Sequence, residues 1–155
     1  MPGIHRYTID LLTEEVKLAE RLGIKAIALF PSVEQTLKSD DGEEAYHSDN
    51  LMCHAIRHLK NSGIKIGIIA DVALDPYTTH GHDGILDSDG NVDNDATIEA
   101  LCNQALVLVK AGADIVAPSD MMDGRVKAIR NYLDENNHIH ESILAYSAKY
   151  ASALY

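Results

Sequence analysis

The residues best suited to chemistry stand at the ends of short apolar runs. Asp71 closes one such run, Ser119 and Asp120 follow a second, and Lys149 follows a third. In parallel sheets the carboxyl ends of the strands meet at one edge, and this edge is where α/β proteins build their active sites. If the runs are strands, the reactive groups of these residues should converge.

Lys149 has the neighbours that most suggest catalysis. It belongs to the segment Tyr146-Ser-Ala-Lys-Tyr150, which combines aromatic and small side chains. An amine that is desolvated in such surroundings becomes a neutral nucleophile toward a carbonyl group. The alternative is a solvated surface lysine, and position alone does not decide between the two.

Asp71, Ser119 and Asp120 have structural interpretations as well. A carboxylate at the end of an apolar strand is costly to bury unless it is paired or hydrogen-bonded, so Asp71 could equally bind the loop that follows it. Ser119 and Asp120 precede a helical pattern, and either side chain could cap the N-terminus of that helix.

Residues 73–93 form a long polar connection with no helix or strand pattern of its own. Connections of this length in compact domains are usually functional. Two histidines and two aspartates crowd into ten positions, as a site for a hard or borderline metal would require, although a polar lid has the same composition. These residues are Asp75, His80, His82 and Asp83.

Four β-branched runs alternate with helical periodicity, which is typical of βα units on a parallel sheet. Ser48 is the N-cap predicted for the second helix, whose apolar positions begin at Met52. The predicted strands are residues 24–30, 64–71, 114–118 and 143–147, and the other helices are residues 9–22, 94–110 and 124–135.

These elements predict an α/β fold that forms a single domain over residues 1–155. A complete (β/α) barrel needs eight strands and about 250 residues. Four strands in 155 residues therefore indicate either a partial barrel or an open, flavodoxin-like sheet.

Composition restricts the partners and the compartment. With 13 Lys and Arg against 24 Asp and Glu, the net charge of −11 would repel nucleic acid and anionic membrane surfaces. Neither a signal peptide nor a membrane-spanning run is evident, so we expect a cytoplasmic protein. Cys53 and Cys102 lack the spacing of a metal or disulfide motif and should be buried, reduced thiols.

Three long stretches carry a family resemblance. They are DVALDPYTTHGHDG at 71–84, AGADIVAPSDMMDGR at 111–125 and ILAYSAKYAS at 143–152, and Phe30-Pro31 agrees with them. In these stretches the chain resembles the porphobilinogen synthase (5-aminolevulinate dehydratase) family. The resemblance implies part of a TIM-like barrel that condenses two molecules of 5-aminolevulinate into porphobilinogen, with a Schiff base on each of two lysines.

The resemblance also implies roles for individual residues. Lys149 matches the lysine of the family's Ser-Ala-Lys-Tyr motif and would form one of the two Schiff bases. Asp71 and Ser119 match residues that hold the substrate amine and assist proton transfer. The residues expected to bind substrate beside them are Tyr146, Tyr150 and Asp120.

The same comparison of motifs predicts the metal type. Ala73, Asp75 and Asp83 occupy the positions of three cysteines in zinc-dependent members. The chain thus resembles the aspartate-containing type, which needs no zinc or other cofactor at the active site. Many members of this type are stimulated by Mg²⁺ at an allosteric site, and the ligands of that site would lie outside this chain.

The resemblance further implies an internal piece of a longer enzyme, without the N-terminal arm, the first strand and the second lysine. We expect a homo-oligomer, an octamer in the full-length family, and no porphobilinogen formation by the 155 residues alone. Two other functions stay open. One is a different Schiff-base barrel lyase or aldolase, which would trap another carbonyl compound on Lys149; the other is a non-catalytic half-barrel that self-associates.

Overall fold

Strands and helices alternate along the chain, as predicted. The computed structural model describes residues 2–148 together with Tyr150 and Ala153. The strands are β1 (Ala26–Leu29), β2 (Gly67–Val72), β3 (Ile115–Pro118) and β4 (Ser142–Ile143). The helices are α1 (Ile9–Arg21), α2 (Leu51–Asn61), α3 (Asn94–Ala111) and α4 (Arg125–Glu135), and Gln35–Leu37 and Glu43–Tyr46 form short 3₁₀ helices.

The strand order decides between the two architectures. All three strand pairs are parallel, and the order is β1-β2-β3-β4. A flavodoxin-like sheet reverses its order at a switch point, whereas a barrel adds each strand beside the previous one. Each helix also contacts the next helix in the chain, which places α1 to α4 in one layer. The fold is therefore a partial (β/α) barrel of four strands.

Strand β2 shows which face of the sheet is packed. Ile68, Ala70 and Val72 are completely buried within the main apolar cluster, which includes side chains of α2 and α3. Because side chains alternate between the two faces of a strand, Ile69 and Asp71 lie on the opposite face. That face corresponds to the interior of a barrel, so Asp71 points away from the helices.

Strand β4 is shorter than the predicted 143–147. The amide of Leu144 still donates to the carbonyl of Val116 at 2.9 Å. The next amide on that side of β3 would be that of Pro118, which has no N–H to donate. The ladder therefore stops, and residues 145–148 leave the sheet.

Both side-chain caps predicted from the sequence were wrong. Helix α2 is capped by Asn50, whose Oδ1 accepts from the Cys53 amide at 2.8 Å. Asn50 is completely buried and also donates to the carbonyls of Glu44 and Ala45, and Ser48 lies three residues before the start of the helix. Helix α4 begins after Gly124 without a side-chain cap, so neither Ser119 nor Asp120 caps it.

The connection over residues 73–93 has more structure than its sequence predicted. The amides of Tyr77 and Thr78 both donate to the carbonyl of Leu74, which forms a tight turn directly after β2. Farther along, Leu86 pairs with Val92 in an isolated antiparallel bridge. The connection is thus an ordered loop, because short turns with local hydrogen bonds leave no periodic sequence signal.

Cys53 and Cys102 are buried and form no disulfide, as predicted, and burial raises the pKa of both thiols. Within the part of the chain that the structure describes, no helix has the length and apolar character needed to cross a membrane.

Gly84 is the position where the loop packs most tightly on the barrel wall. A Cβ atom there would lie 2.7 Å from Val92 Cγ1 and 3.0 Å from Thr97 Oγ1. We expect Gly84→Ala to lower the free energy of unfolding by about 1–3 kcal/mol, the usual cost of overpacking, when measured by urea denaturation.

Gly67→Ala is the matched control for this prediction. Its added Cβ would make only ordinary contacts, at 3.4 Å with both Ala26 Cβ and the Lys25 carbonyl oxygen, so its effect should be smaller. Equal stability of the Gly84→Ala variant and the wild type would contradict the packing described for this loop.

Candidate active site

A cavity of about 400 Å³ lies at the carboxyl edge of the sheet. Every strand contributes to its wall through the residues that follow it, which is the arrangement used by barrel enzymes. The lining residues are Phe30 and Pro31 after β1, Asp71, Asp75, Pro76 and Asp83 from β2 and its loop, Ser119 after β3, and Tyr146 and Ala148 after β4.

Asp71 is the most unusual group in this cavity. It is 7% exposed, and its Oδ1 atom has no hydrogen-bond partner among the described residues. The pKa of Asp71 is raised to about 6, mainly by burial, while the hydrogen bond from Ser119 lowers it and the charges of Asp75, Asp120 and Asp83 add to the increase. A carboxyl group with this pKa exchanges protons near neutral pH.

Ser119 is placed beside Asp71 by the register of the sheet. Asp71 pairs with Ala117, and Val72 pairs with Pro118. The Ser119 amide continues this ladder by donating to the carbonyl of Val72 at 3.1 Å. The hydroxyl group is thereby held where it donates to the Asp71 carboxyl group.

Three carboxylates from one segment share the cavity wall, namely Asp71, Asp75 and Asp83. No lysine or arginine from the described residues lines it. Such a wall favours a ligand with a positive charge, since carboxylates attract cations and accept hydrogen bonds from them. The cavity therefore suits a small organic ammonium compound.

From the sequence, Asp75 and Asp83 were interpreted as candidate metal ligands and as markers of metal type, but not as residues that contact the substrate. Their place on the wall results from the turn at Leu74 and the packing of Gly84, and neither feature could be read from periodicity. The available signal was their position in the segment that follows β2, which was already expected to be functional.

The side chains of the two loop histidines contact backbone groups of the protein. The Nδ1 atom of His80 accepts from the His82 amide at 3.1 Å, and its Nε2 atom lies 3.0 Å from the Asp40 carbonyl. The Nδ1 atom of His82 accepts from the Gly84 amide at 3.2 Å. Within the described part of the chain, no group of three or more His, Cys, Asp or Glu side chains is arranged to hold a metal ion.

The remaining predicted residues lie in different environments. Tyr146 lines the cavity, whereas Tyr150 is 86% exposed and is not part of the cavity wall. Asp120 is 1% exposed and lies behind the wall, where it bonds the Met122 amide and pairs with Arg125. Lys149 lies outside the described residues, although its neighbour Ala148 lines the cavity.

Comparison with known proteins extends this description. The delta-aminolevulinic acid dehydratase of Bradyrhizobium diazoefficiens is 50% identical over 155 residues, which cover 100% of this chain and 44% of that protein. The delta-aminolevulinic acid dehydratase of Chlamydia pneumoniae is 45% identical over 155 residues, which cover 100% of this chain and 46% of that protein. The chain thus spans less than half the length of these relatives.

A solved structure agrees with the whole fold. The crystal structure of delta-aminolevulinic acid dehydratase (porphobilinogen synthase) from Toxoplasma gondii ME49, in complex with the reaction product porphobilinogen, matches with a TM-score of 0.96 and 51% identity. The match covers 100% of this chain and 44% of that one. The family model for delta-aminolevulinic acid dehydratase covers residues 1–155. Because this model matches every residue, the chain belongs to the delta-aminolevulinic acid dehydratase family.

Proposed function

We propose that this chain provides one Schiff-base substrate site of a porphobilinogen synthase, a lyase of tetrapyrrole and haem biosynthesis. The observation that carries the proposal is the cavity in which the buried carboxyl of Asp71 shares a wall with Ala148, the residue before Lys149. The chain spans 44% of the enzyme from B. diazoefficiens, so formation of porphobilinogen by the longer protein is part of the proposal.

The substrate proposed for the site is 5-aminolevulinate, which carries a ketone and an ammonium group. The Lys149 amine attacks the ketone carbon, water leaves, and a C=N bond forms. Asp71, with a pKa of about 6, exchanges the protons that this addition and loss of water require. Ser119 donates to Asp71 and would hold that carboxyl in place during the transfer.

The substrate ammonium group would lie against the carboxylates of the wall. Asp75 and Asp83 both line the cavity, and a charged hydrogen bond from an ammonium group to either carboxylate is stronger than a neutral one. Tyr146 adds an aromatic surface at the opposite side, after β4.

We propose that the site works without zinc. Ala73, which occupies one of the three cysteine positions, offers no donor atom and is 2% exposed. The other two positions, Asp75 and Asp83, are carboxylates, while structural and catalytic zinc sites favour thiolate and imidazole ligands. These residues do not fit a zinc site of the cysteine type. Mg²⁺ acting from an allosteric site outside this chain, and a cytoplasmic location, are further proposals by analogy with the family.

Covalent trapping tests the proposed site directly. Borohydride reduction of the 155-residue chain in the presence of 5-aminolevulinate should add the mass of one substrate less one oxygen atom to the peptide that contains Lys149. Lys149→Arg should abolish this label because its guanidinium cannot form the imine, and peptide mass spectrometry would record the result.

Lys127→Arg, at an exposed lysine of α4, is the control and should be labelled like the wild type. Equal labelling of Lys149→Arg would contradict the proposed role of Lys149. Labelling of Lys149 by a different ketone or aldehyde, but not by 5-aminolevulinate, would favour another Schiff-base lyase.

The raised pKa of Asp71 predicts an unusual dependence of stability on pH. The native state keeps a proton between pH 3.8, the ordinary pKa, and pH 6, the native pKa, whereas the unfolded state loses it. The free energy of unfolding should therefore fall as the pH rises through this window. Asp71→Asn removes the free-energy cost of holding an ionised Asp71 in the buried site. It should therefore stabilise the chain by about 3 kcal/mol at pH 7.5, with little effect at pH 3.5.

Urea denaturation at the two pH values measures this difference, and Asp89→Asn, an exposed change in the same loop, is the control. The Asp71→Asn variant should also lose imine formation with 5-aminolevulinate, because it cannot exchange the proton. If the Asp71→Asn variant is no more stable than wild type at pH 7.5, the raised pKa of the buried Asp71 carboxyl group is contradicted.

We also propose that the chain self-associates. Among the described residues, the outer edges of β1 and β4 have no partner strand, and Phe30 is 64% exposed on the inner side of the sheet edge. Unpaired edges and exposed apolar side chains favour association with another copy.

Sedimentation velocity at micromolar concentration should show oligomers of the 155-residue chain. Phe30→Glu should weaken them, because it places a charge on the proposed contact, whereas Ile139→Glu, at a side chain 61% exposed on a loop, should have little effect. A stable monomer at this concentration would contradict the proposal.

A further inference from the structure

A closed ring of polar contacts surrounds the backbone of Met122. Its amide donates to Asp120 Oδ1 at 2.8 Å, and its carbonyl accepts from Arg125 Nη1 at 2.9 Å. The ring closes through an ion pair, since Arg125 Nε lies 3.1 Å from Asp120 Oδ2 without the geometry of a hydrogen bond. We name this pair of side chains the Asp120–Arg125 clamp.

The clamp is buried, which makes its geometry well defined. The side chain of Asp120 is 0% exposed and that of Arg125 is 17% exposed. Removing one partner of such a pair leaves an uncompensated charge in the interior, so the two groups must stay together. A planar guanidinium also binds in two fixed directions, which an ammonium group does not.

Arg125 is poorly placed to stabilise its own helix. It is the first residue of α4, where the helix dipole disfavours a positive charge. Its contacts with Asp120 and the Met122 carbonyl all precede the helix in the chain. The position of this arginine therefore indicates that it stabilises the turn over residues 119–124 rather than helix α4.

That turn supports one wall of the cavity directly. Ser119, at its start, lines the cavity and is tied to β2 through the carbonyl of Val72. The next residue is Asp120, whose side chain fixes where the chain goes after Ser119. A change in the clamp would therefore alter the direction of the backbone that carries the Ser119 hydroxyl.

The turn also supports the second wall, the loop over residues 73–93. The side chain of Met122 is 5% exposed, and its Cε atom lies 3.3 Å from the position of a Cβ added at Gly84, the neighbour of Asp83. At the end of the loop, Asn94 exchanges two hydrogen bonds with the backbone of Asp123, at 2.8 and 3.3 Å. Met122 thus contacts the loop that carries Asp83, and Asp123 holds the residue that directly follows this loop.

We infer that Asp120 and Arg125 are positioning residues, which hold Ser119 and Asp83 at the relative positions that the cavity requires. The inference assigns Asp120 a place behind the site rather than in contact with substrate. Its consequence for ligand binding rests on the function proposed above, whereas its structural consequence does not.

The test compares three variants of the 155-residue chain. Arg125→Met removes the clamp, and Arg125→Lys keeps the charge but cannot contact Asp120 and the Met122 carbonyl through one planar group. Arg57→Met is the matched control, since Arg57 also joins a carboxylate, that of Asp49, to a backbone carbonyl, that of Ser48, on an exposed part of α2.

Hydrogen exchange followed by NMR is the first measurement. In Arg125→Met the amides of Met122 and Gly84 should exchange about tenfold faster or more, the scale expected for losing a charged hydrogen bond, and in Arg125→Lys they should exchange at an intermediate rate. The Ile68 amide, bonded to Asp114 at 2.7 Å, should keep its rate in every variant, and Arg57→Met should match the wild type at all three amides. Loss of stability alone would accelerate Ile68 as well.

The second measurement is imine formation with 5-aminolevulinate, trapped by borohydride. It should fall several-fold in folded Arg125→Met and be unchanged in Arg57→Met. If the Met122 and Gly84 amides exchange at the wild-type rate in folded Arg125→Met, the proposed role of the clamp is overturned. If Arg125→Met does not fold, wild-type exchange of the same two amides in Arg125→Lys would overturn it. Failure of the wild-type chain to bind 5-aminolevulinate, with the exchange results as expected, would overturn the proposed function and leave the clamp in place.

Discussion

The parallel register between β2 and β3 is the constraint on which the candidate site depends. Pairing of Asp71 with Ala117, continued by the bond from the Ser119 amide to the Val72 carbonyl, brings an acid and a hydroxyl together at one edge. A shift of one residue would turn Asp71 toward the helices, into the space that Ile68 and Ala70 fill with apolar side chains. The packing of apolar side chains on the outer face thus determines that Asp71 lies on the inner face.

Concentration of acidic groups in the cavity opposes folding and supports binding at once. Asp71 is buried close to other carboxylates, and these neighbours add to the effect of burial on its pKa. A cationic ligand would relieve the same repulsion, because it would supply the charge that the described wall lacks. Destabilised carboxyl groups of this kind are common where activity and stability compete.

Periodicity in the sequence was enough to predict the alternating elements and to place Asp71 at the end of a strand, since this residue follows the apolar run of residues 66–70. Side-chain contacts outside the periodic elements could not be predicted in this way. The cap on α2 came from Asn50, which required carbonyls of a 3₁₀ helix to bind, and Asp120 turned inward because Arg125 was available to pair with it. Side chains satisfied by tertiary partners leave no local pattern.

Pro118 has a further effect on the cavity, because it limits β4 to two residues. Without an amide at that position, β3 offers no further donor after the bond between Leu144 and Val116. The chain is then free to leave the plane of the sheet, and Tyr146 and Ala148 line the cavity. The segment before Lys149 thus lines the same cavity as Asp71.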